Sequence, residues 1–348
     1  MINSSGIGVY LRGCLPFFLQ TGNNFFLIGN KSELKEYESY KNAKIVELKI
    51  KPFSLQELFF PPSSFLKIIN KASFYYSPFF NVPSCIKIPV FTTIHDIIFP
   101  DMPELSSKAG LLARMFFYKR AYGKSKKIFT VSNFSKSRIE HHLGTGKPVI
   151  VTHSALQPMF LEFNKNNKTI PKKETVVFIG NIKKHKGLDC LLDAFELAKK
   201  EGLPHKLIII GSKENFRSSD ENIIKKIEKI GEDAVSFTGF VSDEELMQHL
   251  ASAAILVQPS LYEGFCLPPL EAMVLGTHAL ISDIPVLKEV YEGFPVTFFN
   301  AGNAEDLKNK LIFLHDNKNL TQFTLAQELI FKYTFDKTVS VILRELYE

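Results

Sequence analysis

Tryptophan is absent from this chain of 348 residues, and cysteine occurs only four times. Cys14, Cys85, Cys190 and Cys266 form no C-x-x-C pair and lack the spacing of a metal site. That excludes a disulfide scaffold and a zinc-ribbon-like centre. The four read as reduced thiols, as expected of a cytoplasmic protein. No apolar run is long enough to span a bilayer, and the opening MINSSGIGVYLRGCLPFF lacks a basic leader. Neither a membrane span nor a secretory signal is therefore expected. No D-x-D-type pair or cluster of hard oxygen ligands occurs, so no metal site is expected. Internal repeats and low-complexity tracts are missing as well.

What is present describes a folded protein with more than one core. Hydrophobic residues make up 45% and charged residues 22%, and the length favours two domains. The net charge of +6 is unevenly spread. Residues 1–165 carry 21 Lys and Arg against 10 Asp and Glu, a net +11. Residues 166–348 carry 21 against 26, a net −5. A basic half beside an acidic half suggests that the first faces an anionic surface or substrate. Ala113–Lys127 concentrates the effect: Arg114, Lys119, Arg120, Lys124, Lys126 and Lys127 stand among Phe116, Phe117, Tyr118 and Tyr122. That composition fits a helix lying on an anionic membrane, or a surface helix with its aromatics in the core.

Apolar strand candidates lie at Phe25–Ile28, Ile45–Ile50, Val90–Ile94 and Ile128–Val131. The alternation is clearer afterwards. Val176–Ile179, Leu207–Ile210, Val235–Thr238, Ile255–Gln258, Ala279–Ser282 and Val296–Phe299 read as strands. Leu188–Glu201, Glu221–Ile230, Asp243–Ala251 and Pro269–Leu275 read as helices between them. Strand and helix in alternation make an α/β fold with parallel sheets. Two such halves give two Rossmann-like, doubly wound domains facing across a cleft. The polar, lysine-rich stretch Pro158–Lys173 reads as the boundary, with domains over 1–160 and 174–330. A last helix candidate spans Phe335–Tyr347.

Two carboxylates stand out. Glu263 falls in the loop after the strand Ile255–Gln258, and Glu271 falls in the first turn of the helix that follows. Carboxylates only accept hydrogen bonds, which suits the hydroxyls of a sugar and a ribose. The helix N-terminus beside them suits an anion, so the loop fits a nucleotide sugar. His95 and Asp96 follow the strand Val90–Ile94, and the pair reads equally as a ligand-end histidine oriented by Asp96 or as a structural hydrogen bond. Lys183, Lys184, His185 and Lys186 follow the strand Val176–Ile179, and four potentially cationic groups there suit a diphosphate. A solvated lysine cluster is the plainer reading of that run.

The stretch Glu263–Glu271 resembles the signature of retaining glycosyltransferases of family 4, which have the GT-B fold. GIGVY (Gly6–Tyr10), HDIIFPDMPE (His95–Glu104), VSNFSKSRI (Val131–Ile139), FIGNIKKHKG (Phe178–Gly187) and FTGFVSDEEL (Phe237–Leu246) agree in order. The resemblance covers almost the whole chain and looks most like mannosyltransferase-like enzymes of surface-polysaccharide and lipopolysaccharide assembly. It implies a hexose moved from a nucleotide diphosphate sugar, GDP-mannose first, to a glycan or lipid-linked saccharide. It implies no cofactor, no essential metal and no nucleic-acid partner. By the same resemblance His95, Lys186 and Glu263 are catalytic. Gly6, Gly8, Asn181, Gly211, Ser212, Phe240, Val241, Gly264, Phe265, Cys266, Leu267 and Glu271 bind the donor. Glu271 would take the ribose and Glu263 the transferred sugar. The last helix, in 331–348, would cross back to the first domain. The cations from Arg114 to Lys127 would face the acceptor or the inner face of the cytoplasmic membrane.

Two departures from the family pattern matter. Asn181 stands where relatives often carry arginine, so either Lys183 or Lys184 replaces that charge or the site carries one cation fewer. Only Met1–Ser5 precede Gly6, so the first strand would be short or missing. The alternatives are another GT-B enzyme, such as a sugar-nucleotide epimerase or a phosphorylase, and a non-catalytic nucleotide-sugar-binding or scaffold protein. A phosphorylase would need a pyridoxal-phosphate lysine, for which no context is evident.

Overall fold

The computed structural model of the protein describes residues 5–50, 54–166, 170–211, 221–231, 233–321 and 323–348. Two compact units result: Met1–Ala155 with Tyr333–Glu348, and Leu156–Lys332.

In the first unit, β1 (Phe25–Gly29) and β2 (Ala43–Glu47) pair in parallel. A second parallel sheet runs β3-β4-β5-β6, comprising Tyr75–Ser77, Val90–Thr93, Ser125–Thr130 and Val149–Val151. The sequence reading does not include β3 and β6. Three residues are too few for a two-residue alternation to register. Ile94, Tyr118, Ile128, Ile139 and Val149 close the core over this sheet.

The first described element of the unit is the helix Ser5–Leu19, and residues 1–4, where a short first strand was expected, lie outside the described residues. Gly6 and Gly8, expected in a loop, lie in its opening turns. The first N–H groups of a helix are unpaired in any case, so glycine there hardly weakens the helix that the following apolar run forms. The helix Phe335–Tyr347 packs on it. A Cβ on Gly13 would overlap the Phe335 ring, so only glycine allows this approach. Lys127 then clamps the same helix, its Nζ 2.9 Å from a Glu345 carboxylate oxygen and 3.0 Å from the Glu345 carbonyl.

The second unit holds β7 (Thr175–Ile179), β8 (Lys206–Ile210), β9 (Val235–Gly239), β10 (Ile255–Gln258), β11 (His278–Ser282) and β12 (Thr297–Phe299). All pairings are parallel, in the order β12-β11-β10-β7-β8-β9. Its inner strands β7, β8 and β10 carry apolar runs because helices bury both faces of such a sheet. The order reverses direction between β7 and β10, and a doubly wound sheet binds ligands at that point, outside the carboxyl ends of its strands. The loops after β7 and β10 therefore border the natural crevice. The stretch expected as a linker is partly helical instead: Pro158–Asn166 is a helix with Phe160 buried. Its outward polar face makes it look like a linker in the sequence.

Candidate active site

Two loops meet at the switch point, held by backbone geometry. After β7 the chain passes Gly180 and a single turn, Lys184–Lys186, to Gly187. Gly187 adopts φ +71°, and a Cβ on it would sit on the Pro259 carbonyl oxygen. Glycine alone permits that approach. The Leu261 N–H donates to the His185 carbonyl at 2.7 Å, which ties the loop after β10 to the same turn. Gly211 performs a similar task beside Gly180, whose carbonyl oxygen occupies the space a Cβ would need.

Lys186 and Glu263 are thereby joined, with Nζ 2.7 Å from Oε1. The pair is mostly buried. Ser260, fully buried, donates its hydroxyl to the same Oε1 at 2.7 Å and accepts from Gln258 Nε2 at 2.9 Å. Ser282 Oγ donates to the Ser260 carbonyl. The Cys266 thiol also hydrogen-bonds Glu263, and burial beside that carboxylate pushes the thiol pKa well up. A polar chain thus runs from β10 and β11 to Glu263 and fixes its orientation. The sequence reading includes Glu263 and Cys266 but not Ser260, Gln258 or Ser282. The only signal for Ser260 is its place directly after the strand, in Pro-Ser.

The four potentially cationic groups at Lys183–Lys186 are not equivalent in the structure. Burial, with Lys186 adding to it, lowers the His185 pKa to about 4, so this ring is neutral at neutral pH. Lys183 and Lys184 are exposed, as is Asn181. Lys186 is the one that reaches the carboxylate.

The helix Pro268–Val274 also differs from the expectation. Pro268 and Pro269 have no N–H to offer. The Leu270 N–H donates to Tyr291 Oη at 3.2 Å, and that hydroxyl donates to the Cys266 carbonyl. The helix start is therefore not the anion-binding feature. The turn before it is the better candidate: Cys266 is left-handed, with φ +75°, and Leu267 is right-handed. Alternation of that kind turns successive N–H groups to one side and forms an anion nest. Phe265 is buried, while Gly264 is half-buried.

Glu271 lies in the first turn of that helix and is only 8% exposed. Burial raises its pKa to about 7, with the Asp243 charge contributing. It is thus not the fully ionised acceptor read from the sequence. At the end of β9, Phe240 is 93% exposed, a free ring at a strand's carboxyl end, with Val241 half-buried beside it. Ser212 lies outside the described residues.

In the first unit His95 follows β4 and is held from several sides. Its Nε2 lies 3.0 Å from the Pro78 carbonyl, and its own carbonyl accepts from Ser135 Oγ at 3.1 Å. Tyr10 meets the ring edge-on, with centroids 4.8 Å apart. Asp96 accepts the Ile98 N–H and so caps the following turn. A carbonyl can only accept, so Nε2 carries the proton and Nδ1 is bare. Burial lowers the ring's pKa to about 4. Nitrogen-15 NMR is expected to show a neutral ring protonated on Nε2 from about pH 6 to about pH 8. A charged ring at the lower end, or a proton on Nδ1, would contradict the assignment.

The cations from Arg114 to Lys127 are not one free face. The helix Lys108–Lys124 ends before Lys126, and Lys127 belongs to β5 and to its Glu345 clamp. Arg114 lies over the Phe99 ring, with NH1 2.9 Å from Ser106 Oγ. Arg120 reaches the Leu58 carbonyl at 3.2 Å and also Ser84 Oγ. Lys119, Lys124 and Lys126 are exposed.

Residues 160–326 match the family model described as Glycosyl transferases group 1. O-antigen chain mannosyltransferase B of Escherichia coli is 29% identical over 227 residues, 62% of this chain and 58% of that protein. O-antigen chain mannosyltransferase RfbU of Salmonella typhimurium is 28% identical over 203 residues, 57% of this chain and 53% of the relative. The match thus spans little more than half of each relative. Among solved structures, Anabaena HepE in complex with UDP-glucose superposes with a TM-score of 0.73 at 17% identity. It covers 100% of this chain and 97% of its own. Sucrose-phosphate synthase of Thermosynechococcus elongatus gives 0.75 at 16% identity over 99% and 94%. The fold is GT-B, with two Rossmann-like units.

Proposed function

We propose that this protein is a retaining glycosyltransferase that moves a hexose from a nucleotide diphosphate sugar, GDP-mannose first, to a glycan or lipid-linked saccharide. The observation that carries this reading is the Lys186–Glu263 pair at the switch point of the second unit, with buried Glu271 in the first turn of the helix that follows. The family match over residues 160–326 and the O-antigen mannosyltransferase relatives support it.

Each group has a task in that reaction. Lys186 Nζ neutralises the diphosphate as the glycosidic bond breaks, aided by N–H groups of the Cys266–Leu267 turn. Glu263, aimed by Ser260, accepts hydroxyls of the transferred sugar. Glu271 accepts ribose hydroxyls, and Phe240 offers a face for the base. His95, with Nδ1 bare, is the first unit's candidate to accept a sugar hydroxyl. No divalent metal is needed, because cationic and main-chain groups stabilise the leaving diphosphate.

Calorimetry with GDP and with GDP-mannose tests the assignment. Glu271→Ala is expected to weaken both ligands, and Glu263→Ala only the intact donor. The reverse pattern would refute it. A transfer assay with a chelator should show unchanged turnover and a product with the donor's anomeric configuration. Turnover lost to the chelator and restored by Mg²⁺ would overturn the metal-free reading.

A further inference from the structure

His95 opens a short segment, residues 95–101, that ends in the single turn Ile98–Asp101. One turn of helix has little stability of its own, so contacts outside it must fix the segment. Asp96 caps the turn, and Ile97 and Ile98 are buried. At the far end the Asp101 carboxylate is only 8% exposed. A carboxylate taken that far out of water persists only when it is paired and hydrogen-bonded.

The partners come from the helix Asn133–Leu143. Arg138 Nε lies 2.9 Å from Asp101 Oδ2, and its Nη2 lies 2.5 Å from Oδ1. Two such N–H···O bonds fix direction as well as distance. His142 Nε2 adds a third contact, 2.6 Å from Oδ1. Ser135 of the same helix donates to the His95 carbonyl. Positions 135, 138 and 142 share one helix face. That face therefore holds residues 95–101 at both ends. The helix is itself well fixed. The buried Ser132 hydroxyl accepts the Ser135 N–H at 3.0 Å, and Ile139 is buried in the first unit's core.

We propose that Asp101 and Arg138 are positioning residues for His95. Their ion pair is a strut that holds the turn against the helix. The turn in turn keeps His95 Nε2 on the Pro78 carbonyl and gives the bare Nδ1 a fixed direction. The inference rests on the role given to His95 above, so the strut and that role are read by separate measurements.

The test uses the full chain with the variants D101N, R138Q and R138K. Nitrogen-15 NMR of the ligand-free protein reads the strut. In D101N and R138Q the His95 Nε2 and Nδ1 resonances should move toward each other, as a ring released from Pro78 samples both tautomers. R138K keeps the charge and loses the fork, so its resonances should fall between those of R138Q and the wild type. Initial rates read the consequence. Transfer should slow roughly 10- to 100-fold in D101N and R138Q, the cost of a reacting group displaced by about an ångström. Affinity for free GDP should not change, because the groups assigned to the nucleotide belong to the second unit. R138Q also leaves a buried carboxylate poorly paired, so the double variant D101N/R138Q serves as control. It should melt closer to the wild type and still show mixed tautomers and slow transfer. Wild-type resonances in D101N and R138Q would overturn the proposal. So would a double variant that regains the wild-type resonances and rate, since only the buried charge would then be at issue. Mixed tautomers with an undiminished rate would uphold the strut and remove His95 from the reaction.

Discussion

Lys186→Ala is expected to slow glycosyl transfer roughly 100- to 1000-fold, about 3–4 kcal/mol of transition-state stabilisation. Lys186 is the cation that the fold brings into the switch-point crevice, 2.7 Å from Glu263. Lys183 and Lys184 point to solvent, and burial leaves His185 uncharged. A diphosphate leaving from this crevice has no other fixed positive side chain nearby in these two loops. The variant also leaves Glu263 mostly buried without its cation, which by itself destabilises the loop. The double variant Lys186→Ala/Glu263→Gln separates the two effects. If Lys186 acts on the leaving group, the double variant melts like the wild type but turns over far more slowly than Glu263→Gln alone. If Lys186 merely neutralises Glu263, the double variant melts like the wild type and matches Glu263→Gln in rate. A loss of less than about threefold, or ~0.7 kcal/mol, in the single variant would move the role to Lys183 or Lys184.

The pairing has a consequence for binding. Without ligand, Lys186 already has a carboxylate partner, so an incoming diphosphate must compete with Glu263 for it. Glu263→Gln should therefore bind the free nucleoside diphosphate more tightly while turning over the intact donor more slowly. Two equal losses, measured by calorimetry and initial rates, would argue against that competition.

Much of the second unit is legible in the sequence because its strands are buried on both faces. Lys206–Ile210 contains Leu-Ile-Ile-Ile, and no other element suits that run between turn signals. The helix Asp243–Ser252 announces itself with Ser242 and Glu245, which form a capping box in the structure. The first unit is harder. Tyr75–Ser77 and Val149–Val151 are strands because neighbours pair with them, and a three-residue segment carries no period of its own. The site shows the same divide. Glu263 and Lys186 are each visible as chemistry-bearing residues, but they lie 77 positions apart, and their contact depends on Gly187 packing against Pro259. The Arg114–Lys127 run shows the opposite error. Composition counts six cations equally, whereas tertiary contacts remove three of them. Glu271 in the sequence looks like an ordinary helix-end acid. Its burial, which sets its charge, comes from side chains remote in the chain.

That burial leads to the remaining large effect, on stability and its pH dependence. The carboxyl of Glu271 titrates near 4.5 when unperturbed and at about 7 in the fold. A raised folded-state pKa favours the protonated form, so its stabilising contribution is complete below about pH 4.5 and lost as pH rises through about 7. At 1.36 kcal/mol per pKa unit the swing is about 3 kcal/mol across that window. Glu271→Gln keeps the shape and removes the titration. In the ligand-free protein the variant should match the wild type near pH 5 and melt higher near pH 8, by roughly 6–12 °C for a unit of this size. Ligand should reverse the order. With the proposed ribose role of Glu271, hydroxyls donate to the ionised carboxylate, and wild-type affinity for a nucleoside diphosphate should rise from about pH 6 to about pH 8. Calorimetry in buffers of different ionisation enthalpy should count a proton released from Glu271, absent in Glu271→Gln. The nucleotide's own titration is common to both proteins, so the difference between them isolates the side chain. Parallel melting curves at every pH would show that Glu271 is already ionised in the fold. Identical proton release would show that the ribose is bound elsewhere.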